Sequence, residues 1–367
     1  MKPSGFRFWK KSTSLLLTKT GEPFLNRLYF SHFGQAGLCV LNQPATLLPF
    51  SNKTALSALM TGTISIAVGC PTERAIVQVL LYFEIFSYPL TAEEVFHFSN
   101  NPGTNLHEVV EKLQNLVAQG IVFQFGSFYQ TRNDSGWMPR RLDSNRRADQ
   151  LLPVARRMAR FIGGFPFIRG VFVSGSLSKH SMSADSDIDF FLITEPGRLW
   201  LARTLLVLFK KIFLFNSRKY FCVNYFVDTS HLEIEEKNLF TATEIATLLP
   251  MYGPEWYEDF HRANDWVRDF FPHFPPRPNH ETSPHKRGFF KKTAEWILGS
   301  RFFDWLDIQA MYLTVRYWRR KFRHFDDRTF DGALKSRRYV SKHHPLYFQK
   351  SVLEQYANRV AGFETRE

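Results

Sequence analysis

The chain has 367 residues, enough for two or three domains, and its hydrophobic content of 44% excludes a disordered tether. Lys and Arg number 47 against 34 Asp and Glu, and the formal net charge of +13 favours phosphate-bearing or polyanionic partners. Cys39, Cys70 and Cys222 are too few and too scattered for a disulfide framework or a zinc site, so a reducing cytoplasm is the expected compartment.

Residues 1–59 show no sustained periodicity, and the Leu15-Leu16-Leu17 run is too short for the core of a signal peptide. They are expected to be a disordered extension or a misassigned start, with Met60 as a truer beginning. From Pro71 the pattern sharpens into three helices: ERAIVQVLLYFEIF stopped near Pro89, TAEEVFHFS opened by Thr91, and NLHEVVEKLQNLVAQ ended by Gly120. IVFQFGSFYQT then alternates through two short strands about Gly126. Three helices followed by a hairpin resemble a winged helix-turn-helix domain, assigned to 60–140. Glu108 and Glu111 on the third helix would repel phosphates, so sequence-specific DNA binding is not expected of it.

A basic helix containing Arg140, Arg141, Arg146 and Arg147 leads to Gly163-Gly164 and then to VFVSGSLSKHSMSADSDIDFFLIT, residues 171–194. This segment is an apolar strand, a Gly-Ser turn, a polar loop and a second apolar strand opened by two aspartates. Gly175 allows a tight turn whose backbone N–H groups approach a phosphate, and the Ser176 hydroxyl adds a donor. In extended chain, residues two apart share a face, so Asp187 and Asp189 project together while Ile188 and Phe190 go the other way. Two carboxylates that close need a cation between them, and magnesium is the hard ion suited to carboxylate and phosphate oxygens.

Gly-Ser, a spacer over 177–186 and Ser-Asp-Ile-Asp on a strand resemble the signature of the DNA polymerase beta-type nucleotidyltransferase superfamily, nearest its minimal members. Where those carry Ala-Arg-Gly after the turn, Ser178, Lys179 and His180 stand here; Lys179 still offers a cation to a phosphate. The resemblance implies a nucleotidyltransferase domain over 141–250, with Gly175, Ser176 and Lys179 seating a nucleoside triphosphate. It further implies that Asp187 and Asp189 hold two Mg2+ ions, and that a third carboxylate comes from a neighbouring strand. In KYFCVNYFVD the one carboxylate is Asp228 at the strand's end, while the middle holds Asn224 on the same face. Either Asp228 reaches back as the base, or the third metal ligand is the Asn224 amide, which cannot take a proton. Glu233 and Glu235 are weaker candidates.

The stretch between those strands, PGRLWLARTLLVLFKKIFLFN, is a crossover helix; its charges leave no uncharged run near the roughly 18 residues of a membrane span, so no membrane partner is expected. NLFTATEIATLLP and MYGPEWYEDFHRANDWVRDFFPHF read as further helices, followed by a Pro-rich linker. The remainder of 251–367 reads as a basic, mostly helical region. In its RYWRRKFR run, arginines alternate with aromatics in a pattern that suits an RNA or other polyanionic acceptor, or an amphipathic helix with solvated charges. The expected architecture is mixed α/β: a mixed sheet in a nucleotidyltransferase fold, a winged-helix-like unit before it and helices after it. The expected activity is magnesium-dependent transfer of a nucleoside monophosphate to a hydroxyl of RNA, a small molecule or a protein. The rival is a catalytically weak or inactive protein of the same fold that binds DNA or a protein partner, and a partner role resembling that of antitoxin-like minimal transferases is a third reading.

Overall fold

The computed structural model describes residues 69–364 except 218, 280, 281 and 285–287. The extension over 1–59 and the expected start at residue 60 lie outside them. Local sequence accounts for the first elements. Helix α1, Pro71–Glu84, begins with Pro71 behind Cys70, whose thiol and backbone N–H form a reciprocal box with Glu73. Helix α2, Ala92–His97, has the same box between Thr91 and Glu94. Helix α3, Leu106–Ala118, is capped by Asn105, and Gly120 follows it in the left-handed region at φ 72°. Strands β1, Phe123–Phe125, and β2, Phe128–Gln130, form an antiparallel hairpin about Gly126, and Tyr129 bridges back to Leu90.

Helix α4, Trp137–Gly163, brings the chain to the main sheet. Strand β3, Ile168–Ser174, runs into the one-turn helix α5, Gly175–Ser178; β4, Asp189–Thr194, then leads through helix α6, Leu199–Phe213, to β5, Cys222–Asp228. Helix α7, Leu239–Ala246, strand β6, Leu249–Tyr252, and helix α8, Pro254–Ala263, follow. Beyond the Pro-rich stretch come α9, Phe289–Ile297; α10, Arg301–Lys321; α11, Asp327–Ala333; the short strands β7, Ser336–Arg337, and β8, Val340–Lys342; and α12, Phe348–Glu364.

The six-stranded sheet has the order β6-β3-β4-β5-β8-β7 and is mixed: β4 and β5 are parallel, joined by the crossover α6, and the other pairs are antiparallel. Three of its strands lie where helices or loops were expected. Pro250 sits in β6, which is tolerated because β6 is the edge strand of the sheet, where an isolated bridge joins Tyr252 to Ser283. Strands β7 and β8, from the stretch expected to be helical, complete the opposite side beyond β5.

Alternation along the strands splits the core. Val171, Val173, Phe190 and Leu192 pack on one face with α4, α6, α10 and α11. Phe172, Phe191, Ile193 and Val227 pack on the other with α7, α8 and α12, and that cluster continues without a break into α1–α3. Each large side chain so enclosed contributes about 1.5–3 kcal/mol. The N-terminal helices are therefore continuous with the sheet's core: Tyr82 packs against Tyr356 of α12 at 5.6 Å, and Phe98 against Phe271 at 5.3 Å.

Asp307 ties α10 to α6. It is fully buried; its Oδ1 accepts from the Leu201 N–H at 2.7 Å, while its Oδ2 makes no hydrogen bond. Burial pushes its pKa up to about 6 despite the bonds from the Leu201 and Trp200 N–H groups and the nearby Arg198. The folded state thus binds this proton more tightly than the unfolded chain, and stability is lost as pH rises from about 4 to about 6. Asp307→Asn removes the titration and keeps the acceptor. Its unfolding free energy from urea titration is expected to gain on the wild type between pH 4 and pH 7.5, by up to about 3 kcal/mol; parallel pH profiles of the two proteins would refute the assignment.

Candidate functional site

The Gly-Ser turn and the aspartates meet at one end of the sheet because β3 and β4 pair antiparallel, with Ser174 opposite Asp189. Gly175 turns the chain at φ 67°, a conformation that L residues rarely adopt, and a Cβ at this position would lie 2.7 Å from the Asp189 Oδ2. Both facts require glycine: the turn is left-handed and its α-carbon lies against a carboxylate. Asp187 precedes the strand, with Ile188 between the two acids fully buried on the other side.

Asp189 is enclosed. Its Oδ1 accepts from the Asn224 amide at 2.9 Å. Burial, then the charges of Asp187 and Glu244, push its pKa up to about 7, against the opposing effects of a Cys222 hydrogen bond and Lys179. The Cys222 thiol is itself pushed up to about 12 by burial and by the same two aspartates, so it stays protonated. Asn224 is mid-strand in β5, held there by its backbone C=O, which accepts from the His343 N–H at 2.9 Å.

Lys179 Nζ donates to the Gly175 C=O at 3.2 Å and to Glu244 Oε1 at 2.8 Å, while Glu244 Oε2 accepts from the Gly175 N–H at 3.3 Å. Glu244 thus already engages two donors of the turn with its own carboxylate. The sequence carried a signal for it: Glu244 is the one charged residue in α7, LFTATEIA, an otherwise apolar and hydroxylic helix. His180, standing where the resembled family has glycine, takes the left-handed conformation at φ 53° and is held by Asp149 at 3.0 Å. Ser176 is half-buried in α5, whose backbone C=O accepts from the Lys179 and Ser181 N–H groups.

Asp228 is not brought to this end. The register sets Cys222 opposite Asp189 but Asp228 opposite Thr194, so Asp228 lies about 20 Å away at the rise of a parallel strand. There it is 3% exposed and accepts from the Ser230 N–H at 3.0 Å, with His231 Nδ1 at 2.8 Å. Glu233 and Glu235 share its end: they line an open cleft with His231 and Tyr339, and bridge to Lys237 and Lys335. In the RYWRRKFR run, Trp318 is 3% exposed and packs near Trp200 and His343, so it offers no face to a base.

Among the described residues, no group of three or more His, Cys, Asp or Glu side chains is gathered to hold a metal ion unaided. Around Asp189 the oxygen donors are the carboxylates of Asp187 and Glu244 and the Asn224 amide, whose oxygen and nitrogen exchange places by rotation about the terminal torsion, beside the protonated Cys222 thiol. That set suits magnesium completed by phosphate oxygens and water. No family model matches the chain, and neither do any curated proteins or solved structures.

Proposed function

We propose that the chain is a nucleotidyltransferase of the polymerase beta type, acting at the end of the sheet where the Gly175 turn meets Asp187 and Asp189. The observation that carries this reading is the fit of Gly175 against Asp189: a phosphate-binding turn built onto an acid pair serves a ligand with both phosphates and bound cations. Asp187 and Asp189, with Asn224 as an amide donor, would hold Mg2+, which when bound neutralises charge on the phosphates and the attacking oxygen. Gly175, Ser176 and Lys179 seat the triphosphate. An acceptor hydroxyl forms the new P–O bond to the α-phosphorus, and the bond to the leaving pyrophosphate breaks.

The proton of that hydroxyl needs a base. Asn224 cannot take it and Asp228 lies at the far end of β5, which leaves Glu244. A phosphate bound at Lys179 and Gly175 takes over the donors Glu244 holds, and so releases a carboxylate beside Asp189. Replacement of Glu244 by Gln is therefore expected to tighten ATP binding in magnesium about tenfold, or roughly 1.4 kcal/mol, while slowing transfer. Calorimetry that finds equal or weaker binding would remove Glu244 from the phosphate site.

A second reading draws on the same contacts. With Asn224 bonded to Asp189 and Glu244 across the turn, the site is closed upon itself, as suits a protein of this fold that binds partners without turnover. The N-terminal helices and hairpin, proposed as a winged-helix unit, reach the site directly: the Tyr88 hydroxyl donates to the Lys179 C=O, and Arg141 of α4 pairs with Glu94 at 2.6 Å. On its third helix, Glu108 is held by Thr72 and Thr104, and Glu111 is exposed. This favours docking of a partner over binding of DNA. Magnesium-dependent ATP binding without transfer to any acceptor would select this reading.

A further inference from the structure

We propose that the outward faces of α9 and α10 form a docking surface for an anionic lipid membrane. Both helices are inverted relative to the usual amphipathic arrangement, in which charges face water and apolar side chains face the core. In α9, Lys291 is 5% exposed and donates to the Gly163 and Ile168 C=O groups, and Glu295 accepts from Arg169 and from the Phe167 N–H. The opposite face carries Phe289, Phe290, Trp296 and Ile297, with Phe290 at 87% and Trp296 at 82% exposure.

The next helix repeats the pattern. Asp307 faces inward to α6 and Asp304 pairs with the buried Arg198, while Phe302, Trp305, Tyr312, Leu313 and Tyr317 stand exposed at helical spacing. Phe302 and Trp305 stack on each other at 6.0 Å, so neither is drawn into the core. Exposed large side chains in such a concentration mark a surface that is covered in use.

Charge selects the occupant. Every acid of the two helices is turned inward or paired with an arginine of the core, and the exposed faces carry cations: Lys292, Arg301, Arg316 and Arg320. Aromatics and aliphatics flanked by Lys and Arg are the composition of a helix lying in the boundary of a bilayer with anionic headgroups. A second copy meeting this face symmetrically would set cation against cation. Residues 1–68 are no better matched, since Glu22 is their one acid among several Lys and Arg. A nucleic acid would use the aromatic rings but gains nothing from Ile297 or Leu313. No helix among the described residues is long and apolar enough to cross a membrane, so the mode is adsorption on the surface.

The test is co-sedimentation of the full chain with phosphatidylcholine vesicles, with and without 3 in 10 phosphatidylglycerol, together with quenching of tryptophan fluorescence by brominated lipid. Binding is expected to the anionic vesicles only, with quenching, and the joint variant Trp296→Glu, Trp305→Glu is expected to lower the partition coefficient at least tenfold. Folding of that variant is checked by its circular dichroism; should it not fold, absence of quenching in the wild type overturns the proposal by itself. Equal binding to neutral vesicles, unchanged binding by the folded variant, or a wild-type dimer or nucleic-acid complex that the variant abolishes would each overturn it as well.

Discussion

With Asp187 and Asp189 both replaced by Asn, transfer of label from an α-labelled nucleoside triphosphate to an acceptor in cellular extract is expected to fall about a thousandfold or more. The magnitude follows from the several kcal/mol that a metal ion supplies to the transition state, at about 1.4 kcal/mol per factor of ten. Loss of folding is not the expected route. Asp189 is held near pKa 7 by burial and by two neighbouring carboxylates, so an uncharged isostere relieves repulsion. The variant should melt no lower than the wild type without magnesium, and magnesium should raise the melting temperature of the wild type alone. Transfer that survives the double replacement would place the chemistry elsewhere in the chain. Transfer absent from both proteins, with magnesium-dependent nucleotide binding kept by the wild type, would select the partner-binding reading.

The largest loss of stability is expected at Arg169. Its side chain is 5% exposed in β3; Nε donates to Glu195 and Nη1 to Glu295, each at 2.7 Å. Burial pushes Glu295 up, but the bonds from Arg169 and the Phe167 N–H outweigh it and hold the carboxyl below its usual range. Arg169→Met takes the guanidinium from a largely buried carboxylate and leaves it the charge of Lys291 and the Phe167 N–H, a loss that costs about 3 kcal/mol. The other half of the network counts for less, since Glu195 is half-exposed and solvent screens its pair to about 1 kcal/mol. Replacing both Arg169 and Glu295 by apolar residues should recover much of the loss. Urea unfolding of the single and double variants gives both numbers, and a single-variant cost below about 1 kcal/mol would show that the pair does not hold α9 to the sheet.

What the sequence made legible was local. Thr91 and Asn105 announce helices by their own hydrogen bonds to the first turn, Gly126 announces the hairpin, and the alternation in IDFFLIT announces a strand with its acids on one side. The mixed α/β character follows from these. What stayed hidden depends on contacts distant in sequence. Glu244 reaches Gly175 across 69 positions, and nothing local to either residue reveals the meeting. Strands β7 and β8 have two and three residues, too few to show a period, and exist because β5 offers them an unpaired edge. Asn224 and Asp228 were expected to share a strand face, but the register with β4 shifts at Asn224, which breaks the alternation: Tyr225 and Val227 pack in one core, Val223 and Phe226 in the other, and Asn224 alone stands beside Asp189. In α9 the pattern misleads: an apolar stripe normally points to the core, and here Lys291 and Glu295 take that place.

The packing of α12 bears on how the chain must be made. Tyr356, Val352 and Val360 close the core that α1 opens, and Arg359 reaches Glu84 at 3.2 Å across 275 positions. Synthesis proceeds from the other end, so the first helices leave the ribosome long before the residues that cover them. Thr131 and Arg132 reach the Glu84 carboxylate early, but the apolar face of α1 that meets α12 waits for residues about 270 positions later, an interval in which exposed surface invites misassembly. Covering of that face is thus a late event, and a chain stopped short of α12 would lack part of the first core it began to build.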